Sequence, residues 1–308
     1  MTKPVIGFIG LGFMGVGMAS NLVKKDYPLW VRGNRNRAPI DEVLALGARE
    51  AASPKAMAEA CDIIHLCLPD SPAVEGVLRG PDGIMASGKA GLIVIDTTTA
   101  DPNSTIALAE EMALLGMTLV DAPLGRTPKE AAAGTLDAMV GCSAEVFETV
   151  KPVIETWAGN INHMGPVGSA HRMKLVMNFI GMGYAALYSE ALVMAVKSGL
   201  SPQDVQRVIG SSRLTNGMFD SFMAYAVGRD VNAHKFSIQN AAKDTRYIAG
   251  MAMAAGMANP MGSAIRNAFA QAEAAGKGGD YVPSLSDHVA GLNGLDLAEA
   301  VKKGAVGK

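Results

Sequence analysis

A lysine and an asparagine stand four residues apart in an otherwise apolar stretch, as Lys174 and Asn178 in "KLVMN". On a helix, residues at this spacing share one face. Such a pair could hold a carbonyl oxygen, to which the lysine would deliver a proton. The same pattern also fits a structural role, in which the lysine stem lies along apolar surface and the asparagine bonds a neighbouring helix. The two residues alone do not decide between these interpretations.

A glycine pattern follows the first apolar run. "GFIGLGFMGVGMASNL" places Gly10, Gly12 and Gly15 in the order G-x-G-x-x-G, ahead of a helix-like segment. In this order Gly10 would allow a tight turn, Gly12 the approach of a pyrophosphate to the backbone, and Gly15 close packing of helix on strand. The pattern therefore predicts a dinucleotide site, although glycine turns also simply join strands to helices.

The second predicted strand ends in a basic loop. An acidic residue about 20 positions beyond the glycines would bind the ribose 2′-hydroxyl of NAD. Here "VRGNRNRAP" holds Asn34, Arg35 and Arg37, with no carboxylate before Asp41. Guanidinium groups at this place suit the 2′-phosphate of NADP. We predict NADP(H) as the favoured cofactor and NAD(H) as a second possibility, with a solvated basic loop as the alternative.

These motifs need elements to position them, and the chain changes character near residue 165. Before that point short β-branched runs alternate with helix-like segments, which predicts βαβ units and a mostly parallel sheet. The runs are "VIGFIG" (5–10), "LWV" (29–31), "DIIHLCL" (62–68), "GLIVID" (91–96), "MTLVDA" (117–122) and "DAMVG" (137–141).

After residue 165, Ala- and Met-rich segments with helical spacing predict an all-α domain opened by one long helix. The predicted fold class is therefore α/β. An N-terminal Rossmann-type, doubly wound parallel sheet occupies 1–165, and a helical substrate and oligomerisation domain occupies 166–308. The glycine-rich tail after about residue 290 is expected to be a loosely held end.

Charge and cysteine usage narrow the function classes. The 308 residues carry 27 Lys and Arg against 29 Asp and Glu, a net charge of −2, so neither nucleic acid nor an anionic membrane surface is expected as a partner. The segment 175–196 is apolar but contains polar residues, and is predicted to be a buried helix rather than a membrane span. The three cysteines are expected to be buried reduced thiols of a cytoplasmic protein. The histidines lack metal-ligand spacing, so no metal is expected.

Together the motifs resemble those of a known family. "GFIGLGFMGVGMASNL", "DTTTADP", "DAPLGRT", "GPVGSAHRMKLVMN" and "AAKD" follow the order and spacing of the β-hydroxyacid dehydrogenases, which include 3-hydroxyisobutyrate dehydrogenase and tartronate semialdehyde reductase. The resemblance covers residues 5 to about 290. It implies a Rossmann-type domain, a helical domain after a long interdomain helix, and a homodimer or homotetramer built largely through the helical half.

The resemblance also assigns roles to residues of this sequence. It implies that Lys174 is the catalytic lysine and Asn178 the amide beside it. Lys243 and Asp244 match a pair that lines the cleft near the cofactor. With the residues inferred from the basic loop and the substrate loop, the predicted cofactor site comprises Gly10, Gly12, Phe13, Met14, Gly15, Asn34, Arg35, Arg37, Leu68, Pro69, Thr99, Lys243 and Asp244, and the predicted substrate site comprises Thr98, Gly125, Arg126, Thr127 and Lys243.

The sequence departs from the family at the substrate loop. Most members resemble D-A-P-V-S-G-G, whereas this chain ends the same motif with Gly125, Arg126 and Thr127. A guanidinium in a dry cleft needs an anion, because an unpaired buried charge is costly. The acidic group of a substrate would match its donor fork. The alternative is an ion pair of Arg126 with Asp121 or Glu130.

The Gly-Arg-Thr triplet resembles that of the 3-sulfolactaldehyde reductases, a branch in which it meets a sulfonate. Two features differ from that branch. The resemblance to it implies NADH as cofactor, whereas "VRGNRNR" favours NADP. Met177 also stands where the branch would have a second asparagine. We predict an NAD(P)-dependent oxidoreductase that interconverts a small anionic aldehyde and its alcohol with a lysine acid/base. The first predicted substrate is 3-sulfolactaldehyde, reduced to 2,3-dihydroxypropanesulfonate. The alternatives are 3-hydroxyisobutyrate dehydrogenase, tartronate semialdehyde (2-hydroxy-3-oxopropionate) reductase, or a non-catalytic dinucleotide-binding module.

Overall fold

The computed structural model describes residues 3–306, and the chain forms two compact units. Unit 1 comprises Met1–Lys174 and unit 2 comprises Leu175–Lys308. The predicted boundary between residues 165 and 166 falls directly after the last strand of unit 1. Residues 1, 2, 307 and 308, at the ends of the predicted domains, lie outside the described part of the chain.

Unit 1 alternates strands and helices. The strands are β1 (Ile6–Ile9), β2 (Leu29–Arg32), β3 (Arg49–Glu50), β4 (Ile63–Leu66), β5 (Ile93–Asp96), β6 (Thr118–Asp121), β7 (Leu124–Gly125), β8 (Leu136–Gly141) and β9 (Ala158–Gly165). The helices are α1 (Gly15–Lys24), α2 (Ala38–Ala45), α3 (Pro54–Ala60), α4 (Ser71–Arg79), α5 (Pro102–Leu114), α6 (Pro128–Ala133) and α7 (Ala144–Ile154).

The strands form one sheet in the order β3-β2-β1-β4-β5-β6-β8-β7, with β9 paired to β8. Neighbours from β3 to β6 run parallel, whereas β8 is antiparallel to β6 and β7. In β1, Ile6 and Phe8 join one buried apolar cluster and Ile9 joins another. Successive side chains of a strand point to opposite faces, so both faces of the sheet are buried. The predicted Rossmann-type fold is confirmed.

Side-chain caps fix where several helices of unit 1 begin. Ser53, Asp70 and Ser143 each accept a backbone N–H from the first turn of α3, α4 and α7. A cap of this kind stabilises a helix by about 1 kcal/mol. α1 differs, because Met14 at its N-cap position supplies no side-chain acceptor. The N–H of Val16 donates to the carbonyl oxygen of Gly12 at 3.1 Å, so the N–H groups of Gly15 and Gly17 are left for an acceptor from elsewhere.

Unit 2 is helical, as predicted. α8 (Ser169–Lys197) begins in unit 1 and is followed by α9 (Pro202–Gly210), α10 (Gly217–Ala226), α11 (Ile238–Ala254), α12 (Pro260–Ala272), α13 (Leu285–Leu292) and α14 (Leu297–Val306). Within the described range, α8 alone is long and apolar enough to cross a membrane, and 33% of its apolar stretch is buried in protein. Core helices of soluble proteins have the same composition, so the expectation of no membrane partner stays a prediction.

Two sequence-based expectations need correction. The tail after residue 290 is not a loose end, because α14 packs on α9 and buries Leu297. The side-chain amide of Gln203 also donates to the carbonyl oxygen of Val301 at 2.8 Å. β9 is not indicated by the sequence, since "AGNINHMG" has no apolar run. It forms because β8 offers it a pairing edge.

Candidate functional site

The carboxyl ends of four parallel strands meet along one edge of the sheet. The last residues of β1, β4, β5 and β6 are paired in one row, as Ile9, Leu66, Asp96 and Asp121. The chain leaves this row into the glycine loop after β1 and into Thr97–Thr99 after β5. The strand order reverses between β1 and β4, which is where ligands bind to open α/β sheets.

The three motif glycines have different structural reasons to be glycine. Gly10 has a φ of 102°, and a Cβ there would collide with the carbonyl oxygen of Cys67. A Cβ on Gly15 would collide with the carbonyl oxygen of Gly10. Gly12 is exposed, and a Cβ there would meet no protein atom within 4 Å. Packing thus requires the first and third glycines, while the second leaves open space that a diphosphate could enter.

The N-terminus of α1 adjoins this loop. It has no side-chain cap and no acidic residue in its first turn. Unpaired N–H groups at the positive end of a helix dipole attract an anion. Met14 is half-buried, whereas the Phe13 side chain is 87% exposed. Loop and helix together therefore fit the diphosphate of a dinucleotide.

The loop after β2 contains the residues predicted to bind a 2′-phosphate. Arg37 already meets two carboxylates, with Nε 2.8 Å from Asp41 and Nη1 2.6 Å from Glu50. The hydrogen bond from Arg37 holds the pKa of Glu50 below its ordinary value. Asn34 and Arg35 are exposed, and their side chains make no hydrogen bond to another described residue. Arg35, rather than Arg37, is the arginine that a phosphate could reach without displacing a carboxylate.

Thr98, predicted to bind substrate, bonds to residues at the ends of two neighbouring strands. Its side chain is buried, and its hydroxyl oxygen accepts the backbone N–H of Leu68 at 3.1 Å. Its own N–H donates to Asp96 at 3.0 Å. Thr99 is half-buried and Pro69 is exposed, so these two lie closer to solvent. This geometry gives Thr98 a structural role and leaves its hydroxyl hydrogen without an acceptor among the described residues, so its contact with substrate stays a prediction.

Arg126 lies at the surface, and the buried setting expected from the sequence is wrong. Its side chain is 51% exposed, and its Nε donates to Asp137 at 2.9 Å, so its partner is neither Asp121 nor Glu130. Its two terminal nitrogens make no hydrogen bond to the described residues. Its backbone is left-handed, with a φ of 77°. Non-glycine residues rarely adopt this conformation, and such strain concentrates at ligand sites.

The neighbours of Arg126 serve the fold of the loop. Thr127 caps α6: its hydroxyl and its backbone N–H both donate to Glu130, and the hydroxyl oxygen accepts the N–H of Lys129. The expected hydroxyl donor to substrate is therefore used within the cap. A Cβ on Gly125 would lie 3.2 Å from the Cβ of Asp137, its partner across the β7–β8 pair. Arg126 is left as the donor that this loop offers.

A buried carboxylate holds the beginning of α8. Asp121 accepts the backbone N–H of Gly168 at 2.7 Å and that of His171 at 2.8 Å. The Nδ1 of His171, which is also buried, lies 2.8 Å from the hydroxyl of Thr105. Hydrogen bonds from backbone N–H groups to a carboxylate, such as the two to Asp121, are stronger than those between neutral groups. These two bonds fix the first turn of α8 three residues before Lys174, whose side chain is half-buried.

In unit 2, Asn178, Lys243 and Asp244 come together. The side-chain nitrogen of Asn178 donates to Asp244 at 2.7 Å, and the Nζ of Lys243 lies 3.2 Å from the other oxygen of the same carboxylate. Asp244 is completely buried. Because Asp244 takes the amide nitrogen, the oxygen of Asn178 has a defined direction. Asn178 follows Lys174 by one turn on α8.

Asp137 is not named in the sequence analysis, and Asp121 is considered there only as a possible partner of Arg126. Asp137 orients Arg126, and Asp121 holds α8. Both are single carboxylates within or at the end of apolar strand runs, "TLDAMVG" and "TLVDA". A charge in such a run needs a partner, and that signal could have found them.

Metal and thiol chemistry have no visible site in the part of the chain that the structure describes. Residues 3–306 contain no group of three or more His, Cys, Asp or Glu side chains placed to bind a metal. Cys61, Cys67 and Cys142 are free. Burial raises the pKa of Cys61 to about 12 and that of Cys67 and Cys142 to about 11. Such thiols stay protonated and are poor nucleophiles.

Known proteins match both units. Residues 5–165 match the NAD binding domain of 6-phosphogluconate dehydrogenase, and residues 168–285 match the NAD-binding region of NADP-dependent 3-hydroxyisobutyrate dehydrogenase. The chain is 40% identical to 2-(hydroxymethyl)glutarate dehydrogenase of Eubacterium barkeri, over 69% of this chain and 70% of the relative. It is 31% identical to 3-sulfolactaldehyde reductase of Escherichia coli, over 89% and 91%. The structure of Mycobacterium tuberculosis 3-hydroxyisobutyrate dehydrogenase with L-serine matches with a TM-score of 0.84 at 24% identity, covering 94% of this chain and 99% of that one.

Proposed function

Since this chain belongs to the β-hydroxyacid dehydrogenase family, a group of NAD(P)-dependent oxidoreductases that act on CH–OH groups, we propose that it interconverts a small acid semialdehyde and its hydroxy acid, with Arg126 holding the acid group. The observation that carries this proposal is the geometry of Arg126. It combines a left-handed backbone, one hydrogen bond at Nε and two terminal nitrogens without a partner among the described residues. A planar set of N–H donors fits two oxygens of a carboxylate or sulfonate.

The chain supplies binding and proton transfer. NAD(P)H, when bound, supplies the hydride that reduces the aldehyde carbon. Lys174 gives a proton to the carbonyl oxygen as the alcohol forms, and takes it back in the oxidation. We propose that Asn178, which follows Lys174 by one turn on α8, orients the lysine and the substrate carbonyl. Asp244 keeps the amide in this orientation through its bond of 2.7 Å.

The first proposed substrate is 3-sulfolactaldehyde, reduced to 2,3-dihydroxypropanesulfonate. The Gly125-Arg126-Thr127 triplet supports it, as does 31% identity to a 3-sulfolactaldehyde reductase over 89% of the chain. A second candidate is the semialdehyde of 2-(hydroxymethyl)glutarate, because the dehydrogenase named for that compound is 40% identical. Its far carboxylate would bind Arg126 in the same way. 3-Hydroxyisobutyrate and tartronate semialdehyde remain the carboxylate alternatives.

NADP(H) is the proposed form of the cofactor, and NAD(H) is the alternative. The support for NADP(H) is Arg35, an exposed guanidinium in the loop after β2 that has no carboxylate partner among the described residues. A 2′-phosphate offers oxygens that match it. A cytoplasmic location, predicted from the cysteines, is part of the same proposal and fits their free state.

The assembly is proposed to be a homodimer or homotetramer built through unit 2. Apolar side chains at helical spacing along α8 are more than one-third exposed, namely Val176, Ile180, Tyr184, Leu187 and Met194. A continuous apolar stripe of this kind marks a protein interface. Light scattering coupled to size exclusion measures the mass directly, and a monomer at micromolar concentration would rule this part out.

A turnover screen tests the proposed function. The protein is assayed with NADPH and with NADH against 3-sulfolactaldehyde, the semialdehyde of 2-(hydroxymethyl)glutarate, methylmalonate semialdehyde and tartronate semialdehyde. Arg126→Ala is expected to lower kcat/KM for the best substrate by about 10- to 100-fold, because truncation leaves the acid group unpaired. Arg207→Ala, which removes an exposed ion-paired arginine of α9, serves as the control. Unchanged kcat/KM in Arg126→Ala, or cofactor binding without turnover of any aldehyde, would overturn the proposal.

A further inference from the structure

The helices that carry the two ligand loops of unit 1 pack directly on each other. α1 follows the glycine loop, α6 follows Gly125–Thr127, and Gly17 of α1 is buried against α6. A Cβ at Gly17 would lie 2.7 Å from the carbonyl carbon of Ala131 and 2.7 Å from the backbone nitrogen of Ala132. These are main-chain atoms, so no side-chain rotation could make room. The helices approach this closely only because residue 17 is glycine.

Asn21, one turn after Gly17 on α1, forms hydrogen bonds to the same part of α6. Its side-chain nitrogen donates to the carbonyl oxygen of Ala131 at 2.9 Å and lies 3.4 Å from that of Ala132. The carbonyl oxygen of Ala131 also accepts the backbone N–H of Gly134, but at 3.4 Å, so Asn21 supplies the shorter of its two hydrogen bonds at the C-terminus of α6. Gly17 and Asn21 are four residues apart and share one face of α1. The dinucleotide motif explains neither residue, since its third glycine is Gly15.

We propose that Gly17 and Asn21 are positioning residues, which lock α6 onto α1 and so fix the Gly125–Thr127 loop relative to the glycine loop. The capping box between Thr127 and Glu130 makes the loop continuous with α6. α6 is only about 9 Å long at 1.5 Å per residue, so a shift at Ala131 moves Arg126 as well. The inference rests on the proposed function, because Arg126 is the group that is positioned. Misplacing a bound substrate by about 1 Å can slow its reaction by about 100-fold.

The first test compares two glycine substitutions in helices of unit 1. Gly17→Ala places a methyl group against main-chain atoms of α6, whereas Gly76→Ala in α4 meets nothing within 4 Å. Gly17→Ala is expected to lower kcat/KM for the acid semialdehyde by about 10-fold or more, chiefly through KM, while the Kd for NADPH changes less than about 2-fold. Gly76→Ala should match the parent in both. Loss of NADPH binding equal to the loss of kcat/KM would overturn the inference.

Asn21→Ala is the milder variant, for use if Gly17→Ala does not fold. It removes the bonds to Ala131 and Ala132 without adding bulk, and a loss in kcat/KM of about 3- to 10-fold is expected. The same substitutions are then made with Arg126→Ala. If Gly17 and Asn21 act by positioning Arg126, their further effect in that background is less than about 2-fold, since coupled residues are not additive. An undiminished loss would show that they act elsewhere.

Amide hydrogen exchange over residues 124–134 needs no substrate. Gly17→Ala and Asn21→Ala are expected to exchange about 10-fold faster there than the parent and Gly76→Ala, because the lock on α6 is released. Unchanged exchange would overturn the inference whatever the turnover. A parent that turns over no acid semialdehyde would defeat the proposed function alone, and the exchange would still decide whether α1 holds α6.

Discussion

Arg37 and Arg126 are both surface arginines of unit 1, and they differ in what the fold places against them. Arg37 is bonded at Nε and at Nη1 to Asp41 and Glu50. Arg126 is bonded at Nε alone, to Asp137. A guanidinium paired at two positions is largely satisfied by the protein. One held at Nε is oriented, while its outer edge can still bind an anion in bidentate fashion.

The backbone conformations of Arg37 and Arg126 also differ, and again Arg126 is the unusual one. Arg37 precedes α2 with a φ of −78°, which any residue adopts, whereas Arg126 has a φ of 77°. A side chain at that φ costs backbone energy that glycine would avoid. The D-A-P-V-S-G-G motif that this segment resembles has glycine at the position of Arg126. The arginine is therefore kept at a cost to stability, which the proposed contact with the substrate's acid group would offset.

The largest expected effect comes from removing the proposed proton donor, Lys174, which belongs to neither arginine loop. Lys174→Ala should lower kcat by about 100-fold or more, the usual effect of losing a general acid, while KM for NADPH and for the acid semialdehyde stay within about 3-fold. Steady-state kinetics in both directions measure this. Lys197→Ala, an exposed lysine at the other end of α8, is the control. Turnover of Lys174→Ala within a few-fold of the parent would remove Lys174 from the mechanism.

The next effect sharpens the contrast at Arg126 by separating activity from stability. Arg126→Gly should lose substrate use as fully as Arg126→Ala, yet melt about 1–3 °C higher than the alanine variant, because glycine accepts the left-handed backbone. Arg126→Lys should recover part of the lost kcat/KM, since it keeps the charge without the planar fork. Calorimetry and kinetics on the three proteins decide. If Arg126→Ala loses stability while kcat/KM stays constant for all four semialdehydes, Arg126 is a structural ion-pair member.

How far the sequence leads depends on whether a feature is local. The apolar runs and the glycine spacing are local, and they correctly place β1, β2, β4, β5, β6 and β8 and the loop after β1, whereas β3, β7 and β9 have no such run. The surroundings of Arg126 are not local, because Asp137 reaches it only through the pairing of β7 with β8. The hydroxyl of Thr98 likewise accepts its hydrogen bond from Leu68, 30 residues earlier.

Helix contacts show the same limit. Gly17 reads as one more glycine of a glycine-rich loop, and nothing nearby in the sequence reveals α6, which lies more than a hundred residues away. The residue types in each motif can therefore be found from the sequence. Which of them face a ligand, and which are used by the protein itself, requires the fold.

A smaller expected effect distinguishes Arg35 from Arg37 in the loop after β2. Arg35→Ala should raise KM for NADPH by about 3- to 10-fold and leave KM for NADH unchanged, because only NADP carries the extra phosphate. Arg37→Ala should change KM for NADPH less than about 2-fold, since its charge is already balanced by Asp41 and Glu50. A larger effect at Arg37 than at Arg35 would mean that cofactor binding displaces the carboxylates. An equal effect on both cofactors would make the loop a solvated surface.

The smallest expected effect comes from making Arg37 resemble Arg126. Glu50→Gln removes one of the two carboxylates and leaves Asp41 at Nε, so that Arg37, like Arg126, is held by one carboxylate. If counter-ions determine which arginine can bind a ligand, KM for NADPH should fall by about 2-fold while KM for NADH is unchanged. The change is small because the pair is exposed, where ion pairs contribute little and salt screens them. The gain should therefore shrink when the assay is repeated at about 0.5 M salt. An increase in KM for NADPH would instead mean that Glu50 positions Arg37 for the phosphate, and the contrast between the two arginines would not hold.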